Sequence, residues 1–167
     1  MKNLYDLNIT IQEAKELLKM KIEKGANCPC CNQFVKAYQR SISSSMANGL
    51  IKLYDIVGIN TVFHLEETLR DNNLTAFVRS DFPKLRFWGL IEQLEGIRED
   101  GSNRAGNYKI TQRGEYFILN KLKVVKYVYV YNNKVLKTKG NDVNIIHCLG
   151  RKFNYYELIG DLGGRTP

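Results

Sequence analysis

Apolar residues near the start of the chain recur at helical spacing, with Ile11, Ala14, Leu17, Leu18 and Ile22 on one side of a helix predicted from Ile11 to about Lys24. Thr10-Ile11-Gln12-Glu13 has the form of a capping box, and Gly25 supplies a residue able to end the helix in a left-handed conformation. Phe34 to Ile42 is ambiguous: it fits a strand with Phe34, Lys36, Tyr38, Arg40 and Ile42 on one face, and equally the opening turns of a helix. Met46, Leu50, Leu53, Tyr54 and Val57 then mark a helix capped from Ser43 to Ser45 and ended by Gly58. Thr61 can cap a short helix running to about Arg70, Asn72-Asn73 breaks it, and Thr75 to Val78 reads as a brief strand.

The period changes twice between Ser80 and Leu119. Ser80 caps a predicted helix, Pro83 is tolerated in its first turn, and Phe82, Leu85 and either Phe87 or Trp88 form its apolar stripe. Gly89 stops it. From Leu90 to Ile97 the period falls towards two, a polar tip follows from Glu99 to Asn107, and Tyr108 to Ile110 returns as the second strand of a hairpin. Thr111 caps a further helix carrying Tyr116, Phe117, Leu119 and Leu122. Val124 to Tyr131, nearly all β-branched or aromatic, is the strongest strand signal in the chain; Asn132-Asn133 makes a turn and Lys134 to Lys139 returns. Val143 to Cys148 is short and apolar, and Phe153 to Ile159 reads as a last helix.

A helix, then Gly-Leu-Ile, a hairpin with a basic tip and T-x-x-G opening a helix is the order of a winged helix. Trp88-Gly89-Leu90-Ile91-Glu92 and Ile110-Thr111-Gln112-Arg113-Gly114 resemble the end of the recognition helix and the helix after the wing in MarR-type transcriptional regulators. The arrangement also resembles uncharacterised small bacteriophage proteins that pair a Cys-Pro-x-Cys element with such a segment. The expected class is α+β: a winged helix-turn-helix core over residues 43–122, an N-terminal helix and Cys-rich element over 1–42, and a C-terminal β-hairpin plus short helix packed on the core over 123–167.

That resemblance implies DNA binding, with Arg79, Lys84 and Arg86 presented by the helix, Arg104 at the wing tip and Lys109 beside it. The formal net charge of +8 suits a polyanionic partner. Its distribution is uneven: between Lys121 and Lys152, Lys121, Lys123, Lys126, Lys134, Lys137, Lys139, Arg151 and Lys152 oppose Asp142 alone. Lysines on a returning strand also discourage edge-to-edge pairing, so the charge there has a structural as well as a functional reading. Double-stranded DNA is the expected partner. The alternative is a host protein contacted through the tyrosines Tyr127, Tyr129, Tyr131, Tyr155 and Tyr156, as in a phage anti-defence inhibitor. A homodimer is compatible with either.

Cys28 and Cys31 have the C-x-x-C spacing of a zinc knuckle, and His147 with Cys148 would complete a tetrahedral site, so zinc is the one cofactor the chain suggests. No P-loop, dinucleotide fingerprint or H-E-x-x-H motif occurs, and His64 beside Glu66 and Glu67 does not make a catalytic dyad, so no enzymatic activity is expected. No apolar run approaches the roughly 20 residues that cross a bilayer, and the cysteine usage suits a reducing compartment; a cytoplasmic location is expected.

Overall fold

A computed structural model describes residues 8–74, 80–94 and 106–160. The chain divides into two compact units, one of residues 1–40 with 127–138 and the other of residues 41–126 with 139–167.

The first unit opens with α1 (Ile11–Lys21), whose capping box forms as expected: the Thr10 hydroxyl accepts from the Glu13 N–H, and the Glu13 carboxylate accepts from the Thr10 N–H at 2.9 Å. The helix stops at Lys21, because the chain turns through Gly25 at φ +90° and the Ile22 carbonyl instead accepts from the Ala37 N–H at 2.8 Å. Two short strands follow, β1 (Ala26–Asn27) and β2 (Phe34–Val35), paired antiparallel with Ala26 opposite Val35. The ambiguous stretch from Phe34 therefore resolves into strands, β2 and then β3 (Tyr38–Ser41).

The second unit is built on α2 (Ser44–Val57), capped by the Ser43 hydroxyl on the Met46 N–H and closed by Gly58 at φ +71°. Leu50, Ile51 and Leu53 of α2 are fully buried. Next come β4 (Phe63–His64) and α3 (Leu65–Asp71). His64, not Thr61, caps α3: pairing of Phe63 with Tyr108 holds the chain extended one step further, and the His64 Nδ1 accepts from the Glu67 N–H. A 3₁₀ helix covers Phe82–Trp88. Phe82, Leu85 and Trp88 are its buried residues, and their spacing of three is the 3₁₀ repeat, which stacks them in one row. Gly89 ends it in the left-handed region, as predicted. The strands β5 (Ile91–Leu94) and β6 (Asn107–Ile110) pair antiparallel from Ile91 opposite Ile110 to Leu94 opposite Asn107, and β4 lies on the other side of β6. Thr111 caps α4 (Gln112–Ile118) through its hydroxyl on the Gly114 N–H at 3.0 Å.

The chain continues as β7 (Val124–Tyr131) and β8 (Lys134–Val143), joined by Asn132 and Asn133, both at positive φ as a tight two-residue hairpin requires. It finishes with α5 (Ile145–Leu149) and α6 (Tyr155–Gly160). The third sheet has the order β3-β7-β8.

These elements correct the expected winged helix-turn-helix core. Among the described residues there are seven helices and eight strands, and the strands form three separate open sheets, not one small sheet beside a helical trio. The segment expected to be an α-helical groove reader is a 3₁₀ helix that buries Phe82, Leu85 and Trp88. In the second unit α2 packs against α5 and α6 as well as α4 and the 3₁₀ helix. The physical reason lies in apolar residues outside residues 43–122. Ile145, Leu149 and Tyr155 are buried, and the Tyr155 hydroxyl donates to the Ile118 carbonyl at 3.0 Å. Removing that bond in Tyr155→Phe should lower stability by about 1 kcal/mol, read as a shift in denaturation midpoint at unchanged slope.

No helix among the described residues is long and apolar enough to cross a membrane. The expected strand Thr75–Val78 and most of the tip from Glu99 to Asn107 lie outside the described residues.

Candidate nucleic-acid interface

The five cations expected to meet DNA do not form one surface. Arg79 and Arg104 lie outside the described residues. Lys84 is held by the Asp81 carboxylate three residues earlier, with both side chains about one-third exposed. Lys109 is held by Glu92, directly opposite it across the β5–β6 pair, with Nζ to Oε2 at 3.0 Å. Arg86 donates to the Gln93 amide oxygen and lies over the Phe87 ring at 5.0 Å from its centroid. Its charge partly offsets the burial that raises the Tyr108 pKa, which places the guanidinium near that phenol.

Strand alternation then separates them. Gln93 is paired with Tyr108, while Glu92 is paired with Lys109, so Arg86 meets one face of the sheet and Lys109 stands on the other. Each of the three described cations already has a polar or acidic neighbour, and a phosphate must compete with it. Residue type and spacing indicated where cations sit, but not that carboxylates on the neighbouring strand or one turn away would pair with two of them.

The strand β8 presents a different picture. Every residue from Lys134 to Asp142 is exposed, so both faces of the strand see solvent over that length. Lys134 and Lys139 have no charged partner among the described residues. Lys137 pairs with Glu23 and lies 4.5 Å from the centroid of the Tyr129 ring, whose hydroxyl donates to the Gln39 amide at 2.7 Å. Tyr131, Val135 and Leu136 are exposed beside these lysines. On β3, the Arg40 guanidinium lies 5.5 Å from the centroid of the exposed Tyr38 ring. The run of lysines was legible in the sequence; their exposure on both faces was not, because an alternating strand ordinarily buries one face.

The expected zinc site is overturned. Among the described residues no group of three or more His, Cys, Asp or Glu stands where it could hold a metal ion. Cys28 and Cys31 belong to the turn between β1 and β2, where the Cys28 N–H donates to the Gln33 carbonyl and the Asn32 N–H donates to the Cys28 carbonyl, each at 2.8 Å. His147 and Cys148 are successive residues of α5, whose side chains diverge by about 100° around the helix. Burial pushes the Cys148 thiol up to about 11, partly offset by Lys126, which disfavours the thiolate that zinc requires.

Elsewhere the polar network is structural. The Tyr54 hydroxyl donates to Glu115 at 2.7 Å, and burial together with that carboxylate raises the phenol to about 12. Gln112 donates to the same carboxylate, tying the first turn of α4 to its own cap region.

No protein-family model, curated protein or solved structure matches the chain.

Proposed function

We propose that the protein is a non-catalytic binder of double-stranded DNA that neutralises phosphates with the lysines of the β7–β8 ribbon. The observation that carries this reading is the uninterrupted exposure of β8 from Lys134 to Asp142, with Lys134 and Lys139 unpaired by any acidic residue among those described. β8 is an edge strand of the three-stranded sheet β3-β7-β8, so its lysines can approach a phosphate backbone from solvent. Phosphate contacts need long cations whose charge is not already neutralised, and the net charge of +8 supplies the long-range attraction.

The test is a binding titration of random duplex DNA at two salt concentrations. Lys134→Ala and Lys139→Ala should each weaken binding and reduce the slope of log affinity against log salt by about 1, whatever the DNA sequence. Lys84→Ala and Lys109→Ala should change the slope less, because Asp81 and Glu92 already neutralise those cations. Glu23→Gln frees Lys137 and should strengthen binding. Absence of duplex binding by the wild-type chain at low salt overturns the reading. Salt-insensitive capture of a protein partner, lost on changing Tyr131, Val135 or Leu136, would instead make the same ribbon a protein-docking surface.

A further inference from the structure

Tyr127, Tyr129 and Tyr131 occupy alternate positions of β7, and the residues between them, Val128 and Val130, are buried. Strand alternation sends the three phenol rings to the side away from those valines. Tyr131 is 38% exposed at the end of the strand, while Tyr127 and Tyr129 are half-buried. The valines, not the tyrosines, are the core residues here. The Tyr129 hydroxyl donates to the Gln39 amide oxygen of β3 at 2.7 Å, and the Lys137 ammonium of β8 stands 4.5 Å from the centroid of the same ring. Lys134 opens β8 directly after the two-residue turn from Tyr131, exposed and without a charged partner among the described residues. All of these residues belong to the first unit, whose described residues include eight Lys or Arg against three Glu and no Asp.

We propose that this tyrosine face of β7 is a stacking platform for the unpaired bases of single-stranded nucleic acid, with Lys134 and Lys137 meeting the phosphates that link them. Alternate residues of an antiparallel strand lie about 7 Å apart, so successive bases of one extended strand can each meet a ring. Every base offers a π-face. Binding of this kind tolerates any sequence but requires bases free of a duplex, where they are stacked on one another. The charge of the surface selects the partner: a cation already lies at one ring and carboxylates are few in this unit, so the face complements a polyanion rather than a neutral protein patch. Glu23 shares the Lys137 ammonium, which leaves Lys134 the larger part of the phosphate attraction. The bond to Gln39 holds the Tyr129 ring in place before binding and so reduces the ordering that binding costs. This inference shares Lys134 with the duplex reading but reads a different part of the ligand.

The experiment measures the affinity of the full-length chain for a labelled oligothymidine of about 16 nucleotides, an abasic strand of equal length and a mixed-sequence duplex. The wild type is expected to bind oligothymidine at least about tenfold more tightly than the abasic strand, which carries the phosphates without the bases. Tyr131→Ala should weaken oligothymidine binding by about 5- to 100-fold while leaving the abasic strand, the duplex and the salt slope unchanged. Tyr131→Phe keeps the ring and should bind as wild type does. Tyr131→Trp should bind oligothymidine at least as tightly, with quenching of the new indole's fluorescence as the strand is added, a readout that loss of folding does not imitate. Equal wild-type affinity for oligothymidine and the abasic strand, wild-type oligothymidine binding by Tyr131→Ala, or displacement of oligothymidine by poly-glutamate at equal charge would each overturn the proposal. Loss of duplex binding with oligothymidine binding intact overturns the duplex reading alone.

Discussion

Trp88→Ala should destabilise the second unit by about 3 to 5 kcal/mol, enough to remove much of the stability of an ordinary domain. Trp88 is 5% exposed at the end of the 3₁₀ helix, in the same buried row as Phe82 and Leu85. Its indole N–H donates to the Val125 carbonyl at 2.7 Å, and its own carbonyl accepts from the Arg113 Nε at 3.0 Å. Truncation therefore opens a cavity and leaves the Val125 carbonyl without its donor. Trp88→Phe separates the two losses: it retains most of the packing and should cost markedly less. Urea denaturation of the three proteins checks this. A Trp88→Ala protein with the wild-type midpoint would show that the indole is not an anchor of this core.

Gly114→Ala should be nearly as damaging, although it adds a single methyl group. A Cβ at Gly114 would stand 2.1 Å from the Leu90 carbonyl oxygen and 3.0 Å from the Ile110 side chain. The first of these is backbone, and it cannot swing aside. That oxygen already accepts from the Thr111 N–H and hydroxyl, each at 3.1 Å, so displacing it disrupts the cap of α4 and the junction of β5 with the 3₁₀ helix together. Overpacking of this kind costs about 1 to 3 kcal/mol where side chains can yield and more where they cannot, so a loss above about 3 kcal/mol is expected. Gly58→Ala is the matched control. Gly58 lies at φ +71° and ψ −164°, a region essentially reserved for glycine, but nothing stands within 4 Å of its added Cβ, so only backbone strain of about 1 to 3 kcal/mol should appear. Equal midpoints for the two variants would contradict the close approach at Gly114.

Much of the local structure was legible because its causes are local. Thr10, Ser43 and Thr111 cap helices through their own hydroxyls on N–H groups three residues on, and Gly58 and Gly89 end helical segments in conformations that suit glycine. The β7–β8 hairpin follows from β-branched and aromatic residues flanking Asn132-Asn133. The site was less legible. Lys84, Arg86 and Lys109 were legible as cations, but the fold leaves each half-buried beside a neighbour, and β-sheet alternation sends Arg86 and Lys109 to opposite faces.

The chain's own chemistry thus determined where α1, α2 and α4 begin, that Val124–Tyr131 extends, and that the net charge is strongly positive, since these depend on side chains within a turn or two of one another. Tertiary structure decided the rest. It chose the 3₁₀ repeat for Phe82–Trp88, which buries Trp88 rather than Phe87 and lets the indole N–H donate to the Val125 carbonyl. It drew α5 and α6 into the core with α2, and it replaced the expected winged-helix plan with three open sheets. It also left the four candidate zinc ligands without a common centre and the lysines of β8 in water on both faces. Each of these outcomes depends on contacts between residues far apart in sequence, whose pairing periodicity and capping signals do not encode.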